Sequence, residues 1–150
     1  MPAGVVKLSL QPVFVGWITL LMQLPLQSVD LEVFRQLHSG DFLFIDSTHV
    51  ARAGSDVNYL LSDVLPALAQ GVIVHIHDIF YPFEYDPAWV LEGRDWNEAY
   101  MLRAFLQYNN TFEILLFTSY LEHHHAAGLA DALPEAPKNS GGGIWLRKAG

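Results

Sequence analysis

The 150-residue chain contains no cysteine, which excludes disulfide bonds, a thiol nucleophile and any zinc site built on thiolates. Positive charge is also scarce, since 8 Lys and Arg residues stand against 16 Asp and Glu residues and the net charge is −8. Nonspecific nucleic-acid binding needs clustered cationic side chains, so it is not expected. A chain without cysteine fits a cytoplasmic protein, which is the location we expect.

Long apolar runs are missing as well. Residues 13–24 are strongly apolar, but this run is well short of the roughly 20 residues that a transmembrane helix needs. The following Leu24-Pro25-Leu26-Gln27 does not resemble a signal-peptide cleavage site. We therefore expect no membrane partner and interpret residues 13–24 as a core-packed helix or strand. The hydrophobic fraction of 51% predicts one folded globular domain.

The most informative stretch is residues 71–84, where a short apolar run ends in polar side chains. His75, His77 and Asp78 follow three apolar residues. A short β-branched run of this kind is typical of a strand buried on both faces, as in a parallel sheet. Ligands and catalytic groups of open α/β sheets gather beyond the carboxyl ends of such strands, so a functional site is expected here.

The rest of the chain alternates helical and strand patterns. We predict helices over 31–37, 56–68 and 96–108, strands over 41–46, 71–77, 112–120 and 144–147, and irregular segments over 80–95 and 123–139. The third helix is expected to bury Tyr100, Met101, Ala104, Phe105 and Tyr108. This order predicts right-handed βαβ units on a mainly parallel sheet, closed by an antiparallel hairpin at one edge.

Two strand ends carry the candidate chemistry. Asp46 and His49 follow one predicted strand, and His77 and Asp78 end the next. If the strands are neighbours, these four side chains share one crevice. They could bind a divalent metal through oxygen and imidazole ligands, or form a general base in which an acid orients a histidine. His75 by itself is more readily explained as a core residue.

Four residues that follow these strand ends in the sequence are predicted to bind substrate. Tyr81 and Glu84 lie in the aromatic loop, and Trp96 and Asn97 begin the next helix, whose free amides point to the same crevice. Adjacent side chains cannot all converge on one ion, so we interpret residues 123–125, three consecutive histidines, as a solvated loop.

Several segments, in order, resemble class I S-adenosylmethionine-dependent methyltransferases of the methyltransferase domain 24 type. These segments are 44–50, 54–59, 75–80, 89–94 and 96–98. The resemblance covers about residues 27–148 and implies the C-terminal half of a Rossmann-like methyltransferase sheet, mainly parallel with an antiparallel C-terminal edge pair. Residues 1–26 are a divergent apolar segment outside it.

The resemblance implies transfer of a methyl group from S-adenosylmethionine to a small-molecule acceptor. Asp46, His49, His77 and Asp78 are then the catalytic residues. Related metal-dependent O-methyltransferases hold a divalent ion with acids at the two strand ends, which here are Asp46 and Asp78, although Ile79 replaces the amide that usually follows.

The chain departs from the family on the cofactor side. No Gly-rich loop and no acid precede Asp30, so no cofactor-binding residue is assigned, and we expect an N-terminally truncated form. Two alternatives stay open: a non-catalytic homologue acting as a structural or dimerising subunit, for which a homodimer is expected, and a metal-dependent hydrolase using His75, His77 and Asp78.

Overall fold

The computed structural model describes residues 25–138 and 141–150 with their side chains, and the backbone of residues 5–10 and 18–22. The strands are β1 (Val5–Leu10), β2 (Ile18–Met22), β3 (Phe42–Asp46), β4 (Ile73–His77), β5 (Phe112–Phe117) and β6 (Gly143–Lys148). The helices are α1 (Leu31–Arg35), α2 (Asp56–Tyr59), α3 (Leu65–Ala67), α4 (Pro87–Leu91), α5 (Glu98–Leu106), α6 (Thr118–His124) and α7 (Ala126–Ala132). A π-helical turn at Leu60–Val64 joins α2 to α3, and 3-10 turns lie at Leu26–Ser28 and Ala136–Lys138.

The described strands form one sheet in the order β2-β1-β3-β4-β6-β5. β3 and β4 are parallel neighbours, and β6 runs antiparallel to both β4 and β5. β3, β4 and β5 therefore point one way, with β6 reversed between the last two. The predicted α/β class, with its Rossmann-like sheet and antiparallel C-terminal edge pair, is confirmed.

The N-terminal side of the sheet is an antiparallel hairpin. β1 pairs antiparallel with both β2 and β3. In this register Val5, the first residue of β1, lies opposite Asp46, the last residue of β3. The chain leaving β1 therefore starts at the opposite end of the sheet from Asp46. The side chains of residues 1–24, including the predicted core packing of residues 13–24, lie outside the described residues.

Two segments predicted to be irregular contain helices. α6 and α7 occupy most of the region between β5 and β6, and β5 stops at Phe117 because α6 begins at Thr118. The alanine-rich sequence of α7 favours a helix. Within residues 80–95, α4 begins at Pro87 and is capped by Asp86, which accepts a hydrogen bond from the Ala88 amide at 2.8 Å.

The core lies on one face of the sheet, where the helices pack. The buried strand residues Leu43, Ile45, Val74, Ile76, Ile144 and Leu146 meet buried residues of the helical segments in one continuous cluster. Two side-chain caps anchor these segments. Asp30 accepts a hydrogen bond from Glu32 at the start of α1, and Ser55 accepts one from Asn58 at the start of α2.

The predicted buried side of the third helix was wrong. In α5 the buried residues are Glu98, Ala99 and Leu102, whereas Tyr100 and Met101 are exposed. Tyr108, which lies beyond the end of α5, is fully exposed. The buried stripe follows an i, i+3 spacing through Ala99 and Leu102, and Phe105 continues it, partly buried against the core as predicted. This rotation brings a carboxylate to the core side of the helix.

The opposite face of the sheet is only half-buried, so the prediction of strands buried on both faces was wrong. Burial alternates along β3 and β4, with one face fully buried and the other intermediate. On this second face His75 packs between Phe44 and Trp145, with ring centroids at 5.8 and 4.5 Å. Its Nδ1 is buried and has no hydrogen-bond partner in the described part of the chain. Burial and the neighbouring His77 lower the pKa of His75 to about 4.

None of the helices in the described part of the chain has the length and apolar character needed to cross a membrane.

Replacing His75 by Phe is expected to raise the free energy of unfolding by about 1 kcal/mol at acid pH, because it removes a buried polar atom without a partner. The lowered pKa means that the stability contributed by neutral His75 is full above its ordinary pKa of 6.5 and is lost as pH falls towards about 4. The gain measured by urea unfolding should therefore be larger at acid than at alkaline pH.

His38→Phe is the matched control, because the His38 side chain is 86% exposed. It should leave the free energy of unfolding nearly unchanged. A His75→Phe protein that is clearly less stable than wild type at acid pH would contradict the argument.

Candidate functional site

Three of the four predicted catalytic residues meet beyond the carboxyl ends of β3 and β4. Nε2 of His49 lies 3.7 Å from Oδ1 of Asp46 and 3.6 Å from Oδ2 of Asp78. His49 is buried, the Asp78 side chain is 25% exposed and the Asp46 side chain is 64% exposed. The imidazole therefore forms the floor of a crevice that opens past Asp46.

A third acid, Glu98, completes the site and was not predicted. Its Oε2 lies 2.8 Å from Nδ1 of His49 and accepts a hydrogen bond from Oγ of Ser47 at 2.7 Å. Glu98 is almost completely buried at the start of α5. One sequence signal was available, because an acid directly beside the apolar positions Ala99 and Leu102 needs a buried partner.

The loop after β3 is fixed by hydrogen bonds to α2 and α5. The carbonyl oxygen of His49 accepts hydrogen bonds from the amides of Asn97 and Glu98, at 2.9 and 3.1 Å. Thr48 donates from both its amide and its hydroxyl to the carboxylate of Asp56, at 2.8 and 2.6 Å. Asp56 is thus a second positioning residue that the sequence did not reveal.

Two of the four non-glycine residues with positive φ in the described part of the chain lie at the same crevice. His49 and Asp78 both adopt left-handed conformations, with φ of 58° and 54°. Side chains other than glycine adopt this region at a cost of about 1 kcal/mol or more, and such residues persist where the surroundings fix them. The amide bonds to the His49 carbonyl supply that constraint on one side of the crevice.

The environment raises the pKa of His49 above its ordinary value of 6.5. Burial acts against this, because it disfavours the charged imidazolium. The hydrogen bond and charge of Glu98, with the charges of Asp78 and Asp46, outweigh burial and favour the protonated ring. The three acids thus favour the charged form of the ring over the neutral form.

His77 lies at the rim and not in the centre of the site. Its side chain is half-exposed, and its Nε2 lies 3.5 Å from Oδ1 of Asp78. His75 packs beneath it on the sheet face, with the ring centroids 5.9 Å apart. The predicted catalytic role of His77 stays a prediction, which the geometry links to Asp78 and not to His49.

The four predicted substrate-binding residues have different surroundings. Trp96 packs on His49, with ring centroids 4.3 Å apart. Asn97 is engaged by the backbone of Ala51, accepting from its amide at 2.6 Å and donating to its carbonyl at 3.2 Å. Asn97 therefore positions the loop, and Trp96 alone of the two borders the buried imidazole.

Tyr81 and Glu84 make their contacts away from His49. Tyr81 packs edge-on against Phe117 and Tyr120 in a separate aromatic cluster. Glu84 accepts a hydrogen bond from the Tyr100 hydroxyl at 2.8 Å on the exposed side of α5. Their predicted part in substrate binding is not tested by these contacts and stays a prediction.

A metal site gains no support from the described residues. They contain no group of three or more His, Cys, Asp or Glu side chains arranged to hold a metal ion. The imidazole of His49 lies between Asp46 and Asp78, where a bridging cation would otherwise balance the two carboxylates. His75 does not join His77 and Asp78, because its ring is packed between aromatic side chains.

This crevice, at the carboxyl ends of parallel strands in a Rossmann-like sheet, defines an α/β protein with an acid–base site. Residues 16–79 match a family model described as methyltransferase domain. The matched segment contains β3, β4, Asp46, His49 and Asp78, and the match supports a methyltransferase domain. No curated protein and no solved structure matches the chain significantly.

The described residues do not include the Gly-rich cofactor loop that the resemblance implies after the first strand of a methyltransferase sheet. Here the neighbour of β3 is β1, which is antiparallel, so the chain leaving it starts at the other end. The sequence up to Asp30 also lacks clustered glycines and acids. The chemistry that the described residues support is on the acceptor side.

Replacing Glu98 by Gln is expected to lower the pKa of His49, because the charge that stabilises the imidazolium is removed while burial remains. Histidine NMR titration measures this change directly. Glu84→Gln removes an exposed carboxylate that is bonded to Tyr100 and should leave the His49 pKa unchanged.

The same substitution alters the dependence of stability on pH. The raised pKa of His49 means that its contribution to the free energy of unfolding is full below pH 6.5 and is lost as pH rises through the folded-state value. Glu98→Gln should flatten this fall. A His49 pKa equal to that of wild type would show that Glu98 does not set the proton affinity of the ring.

Proposed function

We propose that this domain serves the S-adenosylmethionine-dependent transfer of a methyl group to an oxygen or nitrogen of a small-molecule acceptor. The observation that carries the proposal is the position of His49, oriented by Glu98 at 2.8 Å, with Nε2 3.7 Å from Oδ1 of Asp46 and 3.6 Å from Oδ2 of Asp78. The family match over residues 16–79 supports methyl transfer as the reaction class.

The role of His49 in this proposal is that of a general base. Nδ1 is engaged by Glu98, so Nε2 is the ring nitrogen that faces the crevice. It accepts the proton of an acceptor hydroxyl or ammonium group, which leaves an alkoxide or a neutral amine whose lone pair can receive the methyl group. Glu98 holds the ring in one orientation and stabilises the imidazolium that forms, as the acid of a catalytic triad does.

In this proposal the carboxylates of Asp46 and Asp78 interact with the same proton from the side of the acceptor group opposite His49. Their oxygens lie 3.6 to 3.7 Å from Nε2, which is beyond a direct hydrogen bond. A hydroxyl or amine placed between them would contact an imidazole nitrogen and a carboxylate together. The raised pKa of His49 also suits a general base. Proton transfer is most effective when the pKa of the base lies close to the pH at which the enzyme works.

His49→Gln is expected to reduce methyl transfer by about 100-fold to 10,000-fold, the usual contribution of a positioned base. The assay is release of S-adenosylhomocysteine with a panel of phenols, alcohols and amines. Because the base must be neutral, the wild-type rate should rise with pH through the raised pKa of His49, and Glu98→Gln should move that rise to lower pH.

His38→Gln is the matched control for this experiment, since the His38 side chain lies exposed on the surface and should not affect the rate. His77→Gln decides whether the rim histidine takes part. Full activity of His49→Gln, with the same pH profile as wild type, would remove His49 as the base.

A second candidate is a non-catalytic homologue that survives as a dimerising subunit. The antiparallel direction of β1 favours it, because the chain that leaves β1 starts at the end of the sheet opposite the crevice. β5, at one edge of the sheet, exposes Ile114 and Leu115. An exposed apolar edge strand is a template for pairing with another chain.

Two measurements separate the candidates. Calorimetric titration with S-adenosylmethionine should give saturable heat for the methyltransferase, and no heat at millimolar cofactor would exclude independent cofactor binding. For the dimerising subunit, sedimentation should show a dimer that Ile114→Lys dissociates. Leu133→Lys, at an exposed position beyond α7, is the control and should leave the dimer intact.

A further inference from the structure

A small cavity lies beside the crevice, between the loop after β3 and the loop before α5. Its volume is about 170 Å³, and its lining residues are Thr48, Val50, Arg52, Gly93, Arg94, Asp95 and Trp96. Trp96 forms the boundary with the site, because it also packs on the ring of His49, with ring centroids 4.3 Å apart. Only the side chain of Trp96 therefore separates a molecule in the cavity from the imidazole of His49.

The cavity concentrates positive charge in a strongly acidic chain. Two of the 8 Lys and Arg residues line it, although the whole chain carries a net charge of −8. Asp95 is the one acid among the lining residues, so the lining is cationic by one charge. The guanidinium groups of arginine bind carboxylate and phosphate oxygens through paired hydrogen bonds.

Arg94 is held in place by its surroundings. Its guanidinium carbon lies 4.7 Å from the ring centroid of Trp89 and 5.2 Å from that of Trp96. Glu92 binds it on one side, with Oε2 3.2 Å from Nη2. Stacking on two indoles and one ion pair fix the plane of the group and leave further N–H donors unengaged.

Arg52 is free to respond to a ligand. Its backbone is fixed, because its amide donates to Ser55 and its carbonyl accepts from Asn58. Its guanidinium has no ion pair or hydrogen bond among residues 25–138 and 141–150. A fixed backbone with an unengaged cationic head is suited to closing on an anion that Arg94 has already positioned.

We propose that this cavity binds an anionic group, carboxylate or phosphate, of the methyl acceptor through Arg52 and Arg94. The identification of the ligand as the methyl acceptor rests on the proposed function. Anion binding itself does not depend on that function. The cavity is smaller than the roughly 300 Å³ at which sites for whole drug-sized ligands begin, so it fits one group of a molecule whose remainder reaches the crevice.

The test measures anion binding without cofactor or acceptor. Inorganic phosphate and acetate are titrated separately at low ionic strength and followed by the indole NMR signals of Trp89 and Trp96. We expect saturable shifts with one or both anions, and the anion that binds assigns phosphate or carboxylate as the recognised group. Arg52→Gln and Arg94→Gln should each weaken binding about tenfold or more.

Arg103→Gln is the matched control, because Arg103 is an exposed arginine of α5 that does not line the cavity. It removes the same charge and should leave anion binding unchanged. If Arg94→Gln disturbs the fold by losing its indole contacts, Arg52→Gln decides alone. Equal weakening by Arg52→Gln and Arg103→Gln, or no saturable binding of either anion, overturns the proposal.

These outcomes are separable from those of the methyl-transfer assay. Anion binding that depends on Arg52, with no methyl transfer to any acceptor, would support the anion site and count against the proposed function. Methylation of neutral acceptors by a protein that binds neither anion would support the function and overturn the anion site.

Discussion

The site depends on one buried interaction, the contact between the carboxylate of Glu98 and the imidazole of His49. Burying a carboxylate costs several kcal/mol unless charged or hydrogen-bonding partners compensate for the lost water. Nδ1 of His49 and the hydroxyl of Ser47 provide that compensation, across about 50 residues of sequence. The pair therefore fixes the start of α5 against the loop after β3, and both walls of the crevice follow from it.

The same interaction gives the two ring nitrogens of His49 different roles. Because Nδ1 is occupied by Glu98, Nε2 is the nitrogen that faces Asp46 and Asp78. The three acids favour the imidazolium and burial opposes it, with a raised pKa as the result. A metal ion between the same two aspartates would compete with the imidazolium electrostatically, so acid–base chemistry and a bridging metal are alternative uses of this geometry.

The central part of this site could be predicted from sequence because strand ends have a simple geometry. Adjacent parallel strands end at the same edge, so residues after β3 and β4 were expected together, and Asp46, His49 and Asp78 do meet. Glu98 escaped because its role depends on the rotation of α5. The aromatic residues of that helix suggested one buried face, whereas packing selected another. α6 and α7 were missed for a related reason, since consecutive histidines and nearby prolines obscured two short helices.

The acceptor side of the crevice is joined directly to the hydrophobic core. β3, β4 and α5 all contribute to this continuous core, which lies on one face of the sheet. β1 contacts this unit along the edge of β3 and runs against it. The sequence up to Asp30 lacks the clustered glycines of a cofactor loop. The direction of β1 places the start of the chain that follows it at the end of the sheet opposite the crevice. Both observations argue against a cofactor loop after β1. A preformed acceptor wall can therefore retain its base and its cationic cavity whether or not this polypeptide also holds the methyl donor.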